Sequence, residues 1–242
     1  VGAGTCSASI AAMNRRFALL AIPALFALTA AAPPKGKPRA VAAKPRPAAP
    51  APVPLPLPDT VRVALVTEAG TIELDLDHKR APITTANFVR YVDLKKFDGA
   101  VFYRAMHLPW GTPPNGLIQG GLQSNPLKVL KPIAHEPTNV TGILHKRGAI
   151  SMARHAPGTA MADFSILVSD LEGLDADPKS DNPDLQAGFA AFGYVVSGMD
   201  VVLKIWEAPR PPEKGEGPLK GQMLDKPVKI LTARRVAIPP AP

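Results

Sequence analysis

The sequence predicts a mainly β domain whose antiparallel strands close into a barrel capped by two helices. Three observations lead to this fold class. Short runs that alternate apolar with polar or small residues recur from Asp59 onward, and Gly, Pro, Asn and Asp cluster between them. Only two segments show the mixed three- and four-residue apolar spacing of an amphipathic helix. Many short strands with few helices are typical of an antiparallel barrel.

The first predicted element is a β-hairpin. Residues 61–66 and 71–76 both alternate, and Glu68-Ala69-Gly70 separates them. A tight turn often needs a residue with positive φ, which glycine adopts without steric cost. We therefore expect Gly70 to adopt that conformation.

The other elements follow in chain order. Pro82 opens a helix whose apolar stripe runs through Phe88 and Val92 to Phe97. After it we expect strands at 101–105, 117–119, 149–153, 164–168 and 192–195, a helix at 199–206 and a closing strand at 228–233. The loops at 108–115, 124–142 and 171–187 are long for a compact domain, which is typical of functional loops.

Residues 13–32 have the composition of a secretory signal peptide. A basic start, Met13-Asn14-Arg15-Arg16, precedes an apolar run that ends in small residues. The run is interrupted by Pro23 and is shorter than the roughly 20 residues of a membrane span. We expect cleavage near Ala31 and a periplasmic protein, with an uncleaved inner-membrane anchor as the alternative. Residues 1–12, including Cys6, precede this start, and we expect the mature protein to lack them.

Residues 33–58 form a predicted proline-rich basic linker. Ten of these 26 residues are proline, five are Lys or Arg and none is acidic, which favours an extended spacer. The leader and linker hold 7 of the 28 basic residues, so 21 remain against 20 acidic residues from Asp59 onward. The domain, placed at 59–238 with a tail at 239–242, is thus nearly neutral. The net charge of +8 does not indicate a nucleic-acid-binding protein.

Two motifs carry the most specific chemistry. Phe102-Tyr103-Arg104 places an arginine on one strand, and Ile118-Gln119-Gly120-Gly121 places a glutamine on another, followed by an expected Gly-Gly turn. A fixed cation, a fixed amide and a close backbone approach suit a site that grips a peptide rather than a phosphate or a metal.

Four motifs in matching order make residues 61–236 resemble the cyclophilin family of peptidyl-prolyl isomerases. Besides the two strand motifs, these are Gly148-Ala149-Ile150-Ser151-Met152-Ala153-Arg154 and Phe192-Gly193-Tyr194-Val195-Val196-Ser197-Gly198-Met199. The resemblance implies an eight-stranded barrel that isomerises X–Pro bonds without a metal or cofactor. It implies proline-containing segments of unfolded or exported proteins as partners. We expect a monomer that does not bind nucleic acid and has no stable membrane span.

The resemblance also implies roles for single residues. Arg104 would stabilise the twisted X–Pro bond, Gln119 would hold the substrate backbone, and a backbone N–H near Arg154 would hold the carbonyl oxygen before the proline. Positions that contact substrate in the family are occupied here by Tyr103, Leu117, Ala153, Arg154, Asp163, Ser165, Leu174 and Phe189.

The proline pocket departs from the family pattern. Family members usually carry two adjacent aromatics where this chain has Phe164-Ser165, and another aromatic at the position of Gly116. Neighbouring strand residues face opposite sides of a sheet, and the resemblance implies that Phe164 faces the core, so we expect Ser165 at the pocket. The inserted Trp110 is a candidate replacement for a missing ring. We therefore expect an isomerase of reduced or altered turnover.

The sequence also bears on other functions. The five histidines lack helical pairing, assisting cysteines and an HExxH pattern, so we expect no metal site. Ser151, His155 and Asp163 suggest a hydrolase triad, but no nucleophile elbow surrounds the serine. A catalytically weak barrel that binds proline peptides as a chaperone or scaffold is the alternative that Ser165 and Gly116 favour. The linker is a further candidate for partner binding through polyproline recognition.

Overall fold

The structure is a computed structural model that describes residues 56–238. The predicted signal peptide, the predicted linker up to residue 55 and the tail at 239–242 lie outside the described residues. Within 56–238, no helix is long and apolar enough to cross a membrane.

Eight strands and four helices make up the described domain. The strands are β1 (Thr60–Thr67), β2 (Gly70–Asp77), β3 (Val101–His107), β4 (Gly116–Gly121), β5 (Ala149–Met152), β6 (Phe164–Leu167), β7 (Ala190–Ser197) and β8 (Met223–Arg235). The helices are α1 (Pro82–Asp93), α2 (Thr138–Thr141), α3 (Pro183–Ala187) and α4 (Met199–Trp206), and short 3₁₀ turns lie at Glu172–Leu174 and Gly217–Leu219.

The strands form a closed barrel in the order β1–β2–β7–β5–β6–β4–β3–β8, and all eight neighbouring pairs are antiparallel. This confirms the predicted fold class. The β1–β2 hairpin also forms as expected, and Gly70 has a φ of 140°.

Helix α1 begins at Pro82 as predicted but ends four residues before Phe97. The helix stops because Lys95 adopts a φ of 55°, which no α-helix accommodates. Phe97 is nevertheless fully buried, because the turn after α1 carries the apolar stripe on into the core. At the other end, the carboxylate of Glu136 accepts the N–H groups of Ile83 and Thr84 at 3.1 and 2.7 Å and so caps the helix.

The barrel interior is filled by aromatic rings. Phe164 stands edge-on to Phe88 at 5.2 Å and to Phe102 at 5.8 Å, in the T-shaped arrangement that ring quadrupoles favour. Helix α1 packs against β2, β7 and β8, while α4 packs against β2, β3 and β4. Helix α4 therefore packs directly against β3 and β4, which carry the two strand motifs.

The single-turn helices α2 and α3 lie in segments expected to be loops, and β8 begins at Met223 rather than 228. The earlier start of β8 matters for function, because it brings the segment before Met223 beside Arg104.

Candidate active site

A β-bulge on β3 places two consecutive side chains on the outer face of the barrel. The register of β3 against both β4 and β8 shifts between Phe102 and Arg104, so that Arg104 lies opposite Gln119. Phe102 is fully buried in the core, whereas Tyr103 and Arg104 are both half-buried. The two motifs singled out in the sequence therefore meet across one strand pair.

The expected turn at Gly120-Gly121 does not form. These residues are instead the last two of β4. A Cβ at Gly120 would lie 2.7 Å from the ring of Phe102, and one at Gly121 would lie 2.5 Å from Asp163 Oδ1. The pair is thus glycine because the core ring and the carboxylate approach the backbone closely. The turn follows at Gln123 and Ser124, which both have positive φ.

The guanidinium of Arg104 is held by two amide oxygens. Nη1 donates to Gln119 Oε1 at 2.7 Å, while Nε and Nη2 both donate to Gln222 Oε1 at 2.8 and 2.6 Å. Nη2 also lies 3.4 Å from Met106 Sδ. Burial lowers the pKa of Arg104, but an arginine keeps its charge throughout the physiological range.

Gln119 continues this network to Asp163. Its Nε2 donates to the Tyr103 hydroxyl at 2.9 Å, and that hydroxyl donates to Asp163 Oδ1 at 3.3 Å. Burial, with the nearby Asp163 charge, raises the pKa of Tyr103, so the hydroxyl stays protonated and can donate. Asp163 is itself anchored by the N–H groups of Gln123 and Ser124 at 2.8 and 2.9 Å.

Ser165 lies on the same face, between Gln119 of β4 and Ser151 of β5 in the strand register. Phe164 is fully buried among the core rings, as expected, and Ser165 is 9% exposed. Arg104, Gln119, Ser165 and Ser151 thus form a polar row across four strands.

An apolar row runs beside this polar row. Met106 of β3 pairs with Leu117 of β4, which pairs with Leu167 of β6. Leu117 and Leu167 belong to a small apolar cluster against which Met106 and Leu174 pack. Met106 and Leu174 are half-buried, so part of each side chain is open to solvent, and Met106 lies next to the guanidinium. Met106 was not among the predicted site residues, although its place two residues after Arg104 puts it on the same face.

The inserted segment does not bring its aromatic ring into a packed position. Trp110 is 64% exposed, and its backbone oxygen accepts from Asn115 Nδ2 at 2.6 Å. Gly116 cannot carry the aromatic that is usual in the family, because a Cβ there would collide with the backbone oxygen of Met106. The proline pocket therefore has no packed aromatic ring from Trp110 and none at position 116.

Arg154 is engaged by the segment that leads into β7. Its Nε and Nη2 donate to Gly188 O at 3.2 and 2.6 Å, and Nη1 contacts Asp184 Oδ1 at 3.1 Å. The guanidinium carbon lies 4.6 Å from the ring centre of Phe189, in a cation–π contact. The side chain of Arg154 therefore fixes α3 and Phe189, and the backbone of Ala153 is bonded through its N–H to Asp163 O at 2.9 Å.

Ser151 belongs to a hydrogen-bonded chain different from the triad weighed above. Its Oγ lies 2.8 Å from His145 Nε2, and His145 Nδ1 lies 2.7 Å from Asp175 Oδ1. Ser151 is 2% exposed and His145 is fully buried, so the serine is closed to substrate, and this Ser–His–Asp hydrogen-bond network is structural. His155 lies elsewhere, at an exposed turn closed by Thr159. Among residues 56–238, no group of three or more His, Cys, Asp or Glu side chains is arranged to hold a metal ion.

The closed antiparallel barrel pairs an arginine with a glutamine beside an open apolar surface, which is the arrangement that the sequence resemblance implies for a class of protein acting on X–Pro bonds. Comparison with known proteins agrees with this class. Residues 62–234 match the family model described as "Cyclophilin type peptidyl-prolyl cis-trans isomerase/CLD". The chain belongs to this family, whose members bind proline-containing peptides, and its enzyme class is peptidyl-prolyl cis-trans isomerase.

Relatives and solved structures support the assignment. A peptidyl-prolyl cis-trans isomerase of Acinetobacter baylyi is 37% identical over 151 residues, covering 61% of this chain and 72% of that protein. Peptidyl-prolyl cis-trans isomerase A of Dickeya dadantii is 34% identical over 179 residues, covering 72% and 84%. The crystal structure of a cyclophilin type isomerase from Cryptosporidium parvum has a TM-score of 0.57 at 18% identity, covering 74% of this chain and 99% of that one. This last likeness shows the fold.

Proposed function

We propose that this isomerase accelerates X–Pro rotation through Arg104, with Gln119 holding the peptide backbone. The uncatalysed barrier is about 18–20 kcal/mol because the C–N bond has partial double-bond character. When the bond twists, resonance is lost and the imide nitrogen gains a lone pair. A donor that bonds this lone pair stabilises the twisted state more than either planar state, and only such differential binding accelerates the reaction.

The observation that carries this proposal is the fixed fork of Arg104. A guanidinium has five N–H groups. Three donate to Gln119 and Gln222, and a fourth contacts Met106 Sδ. Within the part of the chain that the structure describes, one N–H on Nη1 is left for a substrate. The hydrogen-bond partners are neutral, so the cation keeps its full charge for the bond that twists.

We assign the proline ring to the open surface of Met106 and Leu174, with Leu117 beneath it. Met106 Sδ lies 3.4 Å from Arg104 Nη2, so this surface adjoins the guanidinium, and it would hold the proline ring still while the residue before it turns. It lacks the aromatic that Ser165 replaces, and Trp110 is exposed. We therefore expect a grip on proline weaker by roughly 1.5–3 kcal/mol for each missing buried ring.

Two-dimensional NMR exchange on an Ala-Pro peptide tests the proposal. The wild-type protein is expected to exchange the cis and trans signals faster than the peptide alone, and the rate should rise in proportion to protein concentration. Peptide binding without any faster exchange would contradict it and would favour the rival function, a proline-peptide-binding chaperone or scaffold.

We further propose that the clients are exported proteins. The support is the signal-peptide composition of residues 13–32. Cell fractionation with N-terminal sequencing should find a periplasmic form that begins close to Pro33. An unprocessed chain in the membrane fraction would indicate the anchored alternative, and a cytoplasmic chain would contradict export.

A further inference from the structure

Gln222 reaches the candidate site from a distant part of the chain. It lies 118 positions after Arg104, immediately before β8, and the β3–β8 register places Arg104 opposite Met223. Its Oε1 accepts from both Nε and Nη2 of Arg104 at 2.8 and 2.6 Å. One oxygen thus binds two of the three guanidinium nitrogens.

The side chain of Gln222 is itself held from behind. Its Nε2 donates to Pro218 O at 2.7 Å, so the amide has a fixed orientation with Oε1 towards the arginine. Its backbone N–H donates to Leu219 O at 3.0 Å, and its backbone oxygen accepts from Ala105 N at 2.9 Å. Since Ala105 follows Arg104 directly, Gln222 fixes both the backbone and the side chain of that strand position.

Gln119 and Gln222 act on different parts of the guanidinium. Gln119 binds Nη1, the nitrogen that has an N–H left for the substrate, whereas Gln222 binds the Nε and Nη2 edge. The two amides together define the plane of the guanidinium and leave its Nη1 corner open. Without Gln222, the arginine would keep only Gln119 at Nη1 and the weak Met106 Sδ contact at Nη2, and it could rotate about its side-chain torsions.

We propose that Gln222 is a positioning residue for isomerisation, which sets the plane of the Arg104 guanidinium through a neutral amide oxygen. A carboxylate in its place would hold the same two N–H groups but would partly neutralise the cation that must face the twisted bond. The inference rests on the proposed role of Arg104 in catalysis. It adds a determinant of rate that does not contact the substrate.

The experiment compares Gln222→Ala, Gln222→Glu and the control Lys220→Ala in the full chain. Lys220 is exposed and lies in the same segment as Gln222. NMR line-shape analysis with an Ala-Pro peptide gives kcat and KM, and the ¹⁵N signal of Arg104 Nε–H reports the hydrogen bond itself. Gln222→Ala is expected to lower kcat about 10-fold to 100-fold with KM little changed, because positioning acts on the twisted state.

The Nε–H readout separates positioning from a structural role. Gln222→Ala should speed the hydrogen exchange of Arg104 Nε–H, while Gln222→Glu should retain the protection yet still lower kcat. Lys220→Ala should change neither.

Unchanged kcat and unchanged Nε–H protection in a folded Gln222→Ala variant would overturn the inference, and full kcat in Gln222→Glu would overturn the role of the neutral oxygen. If the wild-type protein shows no catalysed exchange, the proposed function fails, while the Nε–H comparison still decides whether Gln222 positions Arg104.

Discussion

Restoring an aromatic at position 165 should strengthen catalysis, because Ser165 occupies the polar row next to Gln119 and within reach of the apolar row. A Phe side chain buries about 150–250 Å² when it packs fully. If one face of the ring, about 80 Å², covers a bound proline, the gain is about 2 kcal/mol at 25 cal/mol per Å². That corresponds to about a 30-fold increase in kcat/KM. Position 116 offers no such route, since any side chain there meets the backbone of Met106.

The assay is a protease-coupled or NMR exchange measurement of Ser165→Phe on an Ala-Pro peptide. Ser165 is only 9% exposed, so urea denaturation should accompany the assay to show that the fold is retained with the larger side chain. Ser197→Phe, at an exposed end of β7, is the matched control and should leave the rate unchanged. A folded Ser165→Phe protein with unchanged or lower kcat/KM would refute the claim that this position faces the proline.

Two further predictions concern stability. Asp163→Ala should lower the free energy of unfolding by about 2–4 kcal/mol, because it leaves the N–H groups of Gln123 and Ser124 without the acceptor that holds their positive φ. Urea denaturation measures this loss. A loss no larger than that of the exposed control Asp170→Ala would contradict the anchoring role of Asp163. Burial lowers the pKa of His145, so the folded state favours the neutral ring and the unfolded state takes up the proton first. Stability is then complete above about pH 6.5 and falls as the pH drops below it, by up to about 1.4 kcal/mol per pH unit. Urea denaturation from pH 8 to pH 5 should show a flatter profile for His145→Asn, and an unchanged slope would show that the histidine does not carry this dependence.

The elements that could be predicted from the sequence are those set by local pattern. Strand alternation put Phe164 and Ser165 on opposite faces, and the resemblance implied that Phe164 is the one that faces the core. The expected Gly120-Gly121 turn was wrong for a non-local reason: these glycines serve close packing against the Phe102 ring and the Asp163 carboxylate. Local propensity cannot distinguish a glycine that forms a turn from a glycine that allows another side chain to pack closely against the backbone.

The residues of the candidate site also fall into two groups, those that a motif predicts and those that only a distant contact reveals. Arg104 and Gln119 come from adjacent strands with distinctive motifs, so their pairing could be foreseen from the resemblance. Gln222 could not, because its partner is 118 positions away and its surrounding residues carry no pattern. Trp110 was a candidate replacement for the missing ring, and its 64% exposure makes that role dependent on a bound peptide.

The most direct test of the account is the cis–trans exchange rate of an Ala-Pro peptide with wild-type protein and with Arg104→Ala, each measured at the same bound fraction of peptide. Removing a preorganised donor to a developing charge typically costs 100-fold to 1,000-fold in rate. We expect Arg104→Ala to bind the peptide still but to lower the catalysed exchange about 100-fold or more. An unchanged exchange rate in the folded variant would contradict it.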